Sequence, residues 1–110
     1  MNTRRAGDVT IIDISGRITL GEGSSTILDK MVDLTKSGTR KILLNLADVS
    51  YIDSSCVGEL VAGLTSVAKA GGKMKLLNPN KRVRELLWMA NLHTVFEVHE
   101  DEADAVRSFT

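Results

Sequence analysis

The chain has one cysteine, one proline, no surplus of either charge and no long apolar run. A lone Cys56 cannot form an internal disulfide or a cysteine-built zinc site, and it fits a reducing compartment. Lys+Arg is 14 and Asp+Glu is 14, so the formal net charge is zero. Nucleic acid calls for a strongly basic domain and an interfacial membrane helix for a basic polar side, so neither partner is expected. No segment approaches the roughly 18 apolar residues of a membrane span, and no charged-then-apolar leader opens the chain. Gly21-Glu22-Gly23 lacks the further glycine and the lysine of a phosphate loop. His93 and His99 stand singly, without ligand spacing, so no metal and no cofactor is expected. What is there is ordinary: 110 residues, 43% apolar and 25% charged. That composition predicts one soluble, cytoplasmic domain over residues 1–110.

Strand-like and helix-like stretches alternate along the chain. Val9-Thr10-Ile11-Ile12-Asp13-Ile14 is short, β-branched and closed by Ser15-Gly16, which predicts a strand. Arg17-Ile18-Thr19-Leu20 either extends it or starts a second strand. After a turn at 21–25, Ile27, Leu28, Met31 and Leu34 recur at helical spacing and stop at Ser37-Gly38. Ile42-Leu43-Leu44-Asn45-Leu46 is nearly all apolar, as in a strand covered on both faces. Val57, Leu60, Val61, Leu64 and Ala68 form a helical stripe that ends at Gly71-Gly72, and Lys73-Met74-Lys75-Leu76-Leu77 is the next strand. Asn78 then reads as a cap with Pro79 at the first helical position, leading a stripe of Val83, Leu86, Leu87 and Ala90. Val95-Phe96-Glu97-Val98 is a last short strand, and Asp101-Glu102-Ala103-Asp104 opens a final short helix. Helices between strands imply βαβ units. The expected fold is α/β: a mixed or parallel sheet of about four to five strands with about four helices, the N-terminal stretch pairing antiparallel.

In such folds sites gather where strands end and helices begin. Here that place is Val49-Ser50-Tyr51-Ile52-Asp53-Ser54-Ser55-Cys56-Val57-Gly58, between an apolar strand and an amphipathic helix. Backbone N–H groups at the helix start are unpaired, so an anion on a hydroxyl there meets free donors and the positive dipole end. Gly58, one turn in, lowers helix propensity and so predicts close approach of something to the backbone. The plain alternative is that Asp53 or Ser54 is an N-cap and no more. A reciprocal capping box on Glu59 would need its hydroxyl at position 56, which is Cys56, so two adjacent serines stand without it.

Asp53-Ser54-Ser55-Cys56-Val57-Gly58, preceded by Leu44-Asn45-Leu46-Ala47-Asp48-Val49-Ser50-Tyr51-Ile52, resembles the phosphorylation segment of bacterial anti-sigma factor antagonists, which are stand-alone STAS domains. The likeness runs through nearly the whole chain, with Ile14-Ser15-Gly16-Arg17-Ile18 at the first hairpin, Gly71-Gly72-Lys73-Met74 at a strand entry and Val95-Phe96 at the last strand. It implies a STAS fold and a regulatory role without catalysis. The unphosphorylated form would bind an ATP-using serine-kinase anti-sigma factor and so release a sigma factor. Phosphorylation of Ser55 would break that complex until a phosphatase restores it. The partner surface implied comprises Thr19, Glu22 and Ser24 of the early turn, with Asp53, Ser54, Cys56, Val57 and Gly58. Cys56 stands where glycine is usual after the acceptor, and Thr19 where an acidic residue is common.

Two other readings compete. One is a STAS scaffold or assembly subunit that acts by protein–protein binding and is never phosphorylated. The other is a small hydrolase or thiol enzyme using Cys56 or Ser55, against which no base lies nearby in sequence. Lys81, Arg82 and Arg84 read first as a solvated helix face and second as a docking patch. Trp88 and Met89 read first as core or rim, and Glu100, Asp101, Glu102 and Asp104 as helix-start charges.

Overall fold

The computed structural model describes residues 2–18, 26–52 and 54–109, of which 17, 18, 26–28, 54–56 and 93 are described by backbone alone. A mixed five-stranded sheet carries four α-helices among these residues, in the order β1 (Asn2–Ala6), β2 (Val9–Ile18), α1 (Thr26–Lys36), β3 (Lys41–Ile52), α2 (Ser54–Lys69), β4 (Lys73–Leu77), α3 (Lys81–Met89), β5 (Val98–His99) and α4 (Glu102–Arg107). A 3-10 turn, Leu92–Thr94, follows α3. Strand order equals chain order; β1 pairs antiparallel with β2 and every other pairing is parallel. No helix among the described residues is long and apolar enough to cross a membrane.

The two faces of the sheet are covered unequally. Ile12, Ile14, Ile42, Leu44, Leu46, Met74 and Leu76 project to one face, where Met31 of α1, Val57, Leu60 and Val67 of α2, and Val83 and Leu87 of α3 complete the larger core. The alternate residues Val9, Ile11, Leu43 and Leu77 face the other way and form a smaller cluster with Ala105 and Phe109 among the described residues, with Ala6 and Val106 at its edge. Helices α1 and α2 pack closely because Gly63 faces Met31, whose Cγ is 3.1 Å from where a Cβ would lie.

The six-residue α4 is too short to persist unaided. Asp101 caps it, its carboxylate accepting from Ala103 N at 2.8 Å. Ion clusters then pin both ends. At its start, Glu102 pairs with Arg4 of β1, whose guanidinium also bonds Asp13 at 2.7 and 3.1 Å. After its end, Lys75, only 8% exposed, donates to the carbonyl and hydroxyl of Ser108 at 2.9 Å each. Its ammonium lies 4.6 Å from the Phe109 ring centroid and 2.7 Å from Glu97 Oε2, which also contacts His99 Nε2. Lys75 first, then His99, holds the Glu97 carboxyl down at about 2. Because the folded value lies below the ordinary 4.5, this stabilisation is present above pH 4.5 and is lost as pH falls towards 2. Glu97→Gln is therefore expected to lower the melting temperature slightly at pH 6, and the difference from wild type should vanish near pH 2 in a series of circular-dichroism melts. A constant difference across that window would reject the ion pair as its source.

Several elements depart from the sequence expectation. The first hairpin turns at Gly7-Asp8, where Gly7 has φ +65°, and Ile14 to Ile18 lie inside β2. The last strand is Val98–His99, and Phe96 is instead a buried residue of the larger core. Val67, not Ala68, faces the core from α2, and Ala90 is exposed. Trp88 and Met89 are not core: they are 45% and 84% exposed, with the Arg84 guanidinium over the Trp88 ring. Asn78 is not the cap of α3. It adopts φ +56° while its N–H reaches His99 O at 2.7 Å, and the extended residue that caps α3 is Asn80.

Candidate functional site

Strand β3 does not stop at Leu46 as its apolar run suggests, but continues to Ile52. It does so by two bulges. β3 advances three residues (Asn45 to Asp48) while β2 advances two (Asp13 to Ser15), then two (Val49 to Tyr51) against one (Gly16 to Arg17). A bulge strands backbone groups and re-aims the strand. At each, an asparagine side chain takes up a stranded group. Asn45 Oδ1 accepts from Ala47 N at 3.1 Å while its Nδ2 donates to Asp13 at 2.8 Å. Asn80 Nδ2 donates to Val49 O across the second bulge. Gly16, at φ +83°, supplies the left-handed turn of β2 opposite that bulge.

The re-aimed strand reaches α2 after a single residue, 53. Ser54, Ser55 and Cys56 form the first turn of α2 with Val57, and no acidic residue lies in that turn. Their N–H groups have no acceptor within the helix, so this turn is the electropositive end of a 16-residue dipole. Val57 is 6% exposed and sits in the core with Ile52 and Leu60. It therefore anchors the helix start from below. Gly58 is exposed, and a Cβ built on it would meet nothing within 4 Å. No neighbour among the described residues makes use of the missing side chain.

Around this turn, Ile18 and Ile52 are register partners, so β2 and β3 end side by side. Thr19, Glu22, Ser24 and Asp53 lie outside the described residues. From the other side, α3 grips the end of β3 through Asn80 and through Arg82, whose guanidinium lies 5.4 Å from the Tyr51 ring centroid. The basic cluster thus divides: Arg82 on Tyr51, Arg84 paired with Glu100 at 3.1 Å. No group of three His, Cys, Asp or Glu among the described residues could hold a metal. Asn45 and Asn80 carry no functional signal in the sequence. The spacing of Asn80 to Val83 is that of a cap, but nothing local signals the bulges.

A mixed five-stranded sheet with one thinly covered face, whose bulged third strand runs into a helix start without acidic residues, is a domain of the STAS class. The STAS domain family model matches residues 1–105, and the chain belongs to that family. Relatives of about 30% identity bear the name anti-sigma factor antagonist. A Thermotoga neapolitana protein assigned to that group is 36% identical over 74 residues, 67% of this chain and 66% of the relative, so just under two thirds of the relative's length is spanned. The anti-sigma-B factor antagonist of Bacillus subtilis is 30% identical over 87 residues, 79% of this chain and 78% of its own. The crystal structure of a Thermotoga maritima protein assigned to the same group superimposes with a TM-score of 0.90 at 27% identity, covering 98% of this chain and 92% of that one. This family is non-enzymatic, which sets aside the reading of Cys56 or Ser55 as a catalytic nucleophile.

Proposed function

We propose that the chain is a phosphorylation-switched antagonist of a serine-kinase anti-sigma factor. The unphosphorylated first turn of α2 docks on that kinase, frees a sigma factor in the cytoplasm, and is switched off when the kinase phosphorylates Ser55 from ATP. A phosphatase resets it. The observation that carries this reading is Gly58: exposed, helical and with open space above its backbone, one turn from Ser55. A glycine costs a helix about 1 kcal/mol relative to alanine, and no packing among the described residues explains it, whereas an apposed protein surface does. The contact surface is Ser54, Cys56, Val57 and Gly58 of α2, with Asp53 and the Thr19, Glu22 and Ser24 turn.

The switch follows from charge. A phosphate on Ser55 adds about −1.5 to −2 charges. The electropositive helix start tolerates it in the free domain. Against a partner's carboxylates it is desolvated beside like charge, which costs several kcal/mol and on the order of a hundredfold in affinity or more. The test is intact mass with site mapping after incubation with ATP and the host's soluble extract. One phosphate on Ser55, absent from Ser55→Ala, is expected. An unmodified Ser55 in an extract that phosphorylates a control antagonist would overturn the switch. Cys56, in place of the glycine usual beside the acceptor, favours the second reading, a STAS assembly subunit that binds without being phosphorylated.

A further inference from the structure

Asn80 occupies a place that only an asparagine fills well. Its Oδ1 accepts from Val83 N at 2.9 Å and so caps α3, and its Nδ2 donates to Val49 O on the bulged strand that leads into α2. The amide's orientation follows from its partners, because the Val83 N–H requires an acceptor and the Val49 carbonyl a donor. Aspartate and serine cap helices as well as asparagine does. Aspartate, however, has no hydrogen to give Val49, and serine's hydroxyl is too short to serve both groups. A bulge disrupts the ladder where it occurs, so the aim of the strand beyond it depends on what holds its loose carbonyl. Arg82, two residues further on, adds a second hold by lying over Tyr51.

We propose that Asn80 is the positioning residue of the α2 start: it ties the first turn of α3 to the second bulge of β3 and thereby fixes where Ser54 and Ser55 are presented. What the presented serines do rests on the function proposed above; the tie itself does not. It makes α3 and α2 share one junction, so the orientation of the contact surface is set from a helix that is not part of it.

The test separates the two bonds of one side chain. Asn80→Asp keeps the cap and loses the donor; Asn80→Ala loses both. Amide exchange read by NMR on the full chain should show residues 50–52 and 58–60 exchanging at least about tenfold faster in Asn80→Asp, with residues 84–89 at wild-type rates. In Asn80→Ala all three segments should accelerate. Cys56, the sole thiol and a member of the α2 first turn, gives a second readout: its iodoacetamide alkylation rate should rise at least threefold in Asn80→Asp and stay unchanged in Arg84→Gln. Should the added carboxylate unfold the chain, seen as fast exchange of β4 amides 74–76 as well, Asn80→Ser repeats the test without charge. Wild-type exchange at 50–52 and 58–60 and wild-type alkylation in the folded variant would overturn the proposal. Phosphorylation by ATP and host extract, run in parallel, should fall in Asn80→Asp. Its absence from wild type, in an extract that phosphorylates a control antagonist, would count against the proposed function and leave the exchange result standing.

Discussion

Replacing Gly72 by alanine is expected to destabilise the domain by about 3 kcal/mol, near the upper end for overpacking, and to lower its melting temperature by about 12 °C. A Cβ there would lie 2.6 Å from Arg40 O, 3.2 Å from Arg40 C and 3.0 Å from Val67 Cγ1. Side chains can rotate away; the Arg40 carbonyl cannot. It accepts from Lys73 N at 2.7 Å, and the next residue begins β3. Gly72 N in turn donates to Val67 O at 2.9 Å, closing α2. The methyl group would push apart the first rungs of β3 and β4, which pair side by side in the sheet. Gly71 is the control: its φ of +83° makes alanine strained by about 1–2 kcal/mol, but nothing lies within 4 Å of its Cβ. Urea denaturation of both variants checks the order. A Gly72→Ala midpoint equal to that of wild type would mean that β3 and β4 can part without cost.

The second large effect separates stability from binding. Gly58→Arg is expected to leave the fold intact and to gain up to about 1 kcal/mol from helix propensity, since open space receives the side chain. On the proposed surface the same arginine blocks approach to the helix start, and affinity for the anti-sigma factor recovered with Ser55→Ala should fall at least about a hundredfold, roughly 2.7 kcal/mol. Calorimetric titration beside a thermal melt measures both. Loss of affinity with an unchanged or raised melting temperature places the partner over the first turn of α2. Unaltered affinity moves it elsewhere.

Much of the architecture was legible because local signals and tertiary structure agree. Gly38, at φ +97°, ends α1 where Ser37-Gly38 predicts, Gly71 does the same for α2, and Asp101 caps α4. The junction at Ser54 was legible too, since an apolar strand and an amphipathic stripe meet there. Illegible were features decided by contacts far apart in the chain. Polar Asp48 and Ser50 interrupt the apolar pattern of β3, and only pairing with β2 shows that they belong to a bulged strand. Asn78 and Asn80 flank one proline and look alike as caps; the bond from Asn78 N–H to His99 O decides between them. β1 carries Arg4 and Arg5 and little β propensity of its own, and its register on β2 holds it extended. Trp88 and Met89 continue an apolar stripe past the point where α3 still faces the sheet.

Because the sheet is covered so unevenly, its two faces are finished at different moments of synthesis. Val9 and Ile11 leave the ribosome early and Leu43 follows, but Ala105 and Phe109, which shield them, are translated some sixty residues after Leu43. The Arg4–Glu102 pair joins positions 98 apart, so the contact that closes α4 over the strip cannot form until synthesis has passed residue 102. Until then the nascent chain can assemble its α1–α3 side while a band of aliphatic side chains on the reverse stays wet. That band is the surface a chaperone would find, and a chain stalled before residue 102 would carry it permanently.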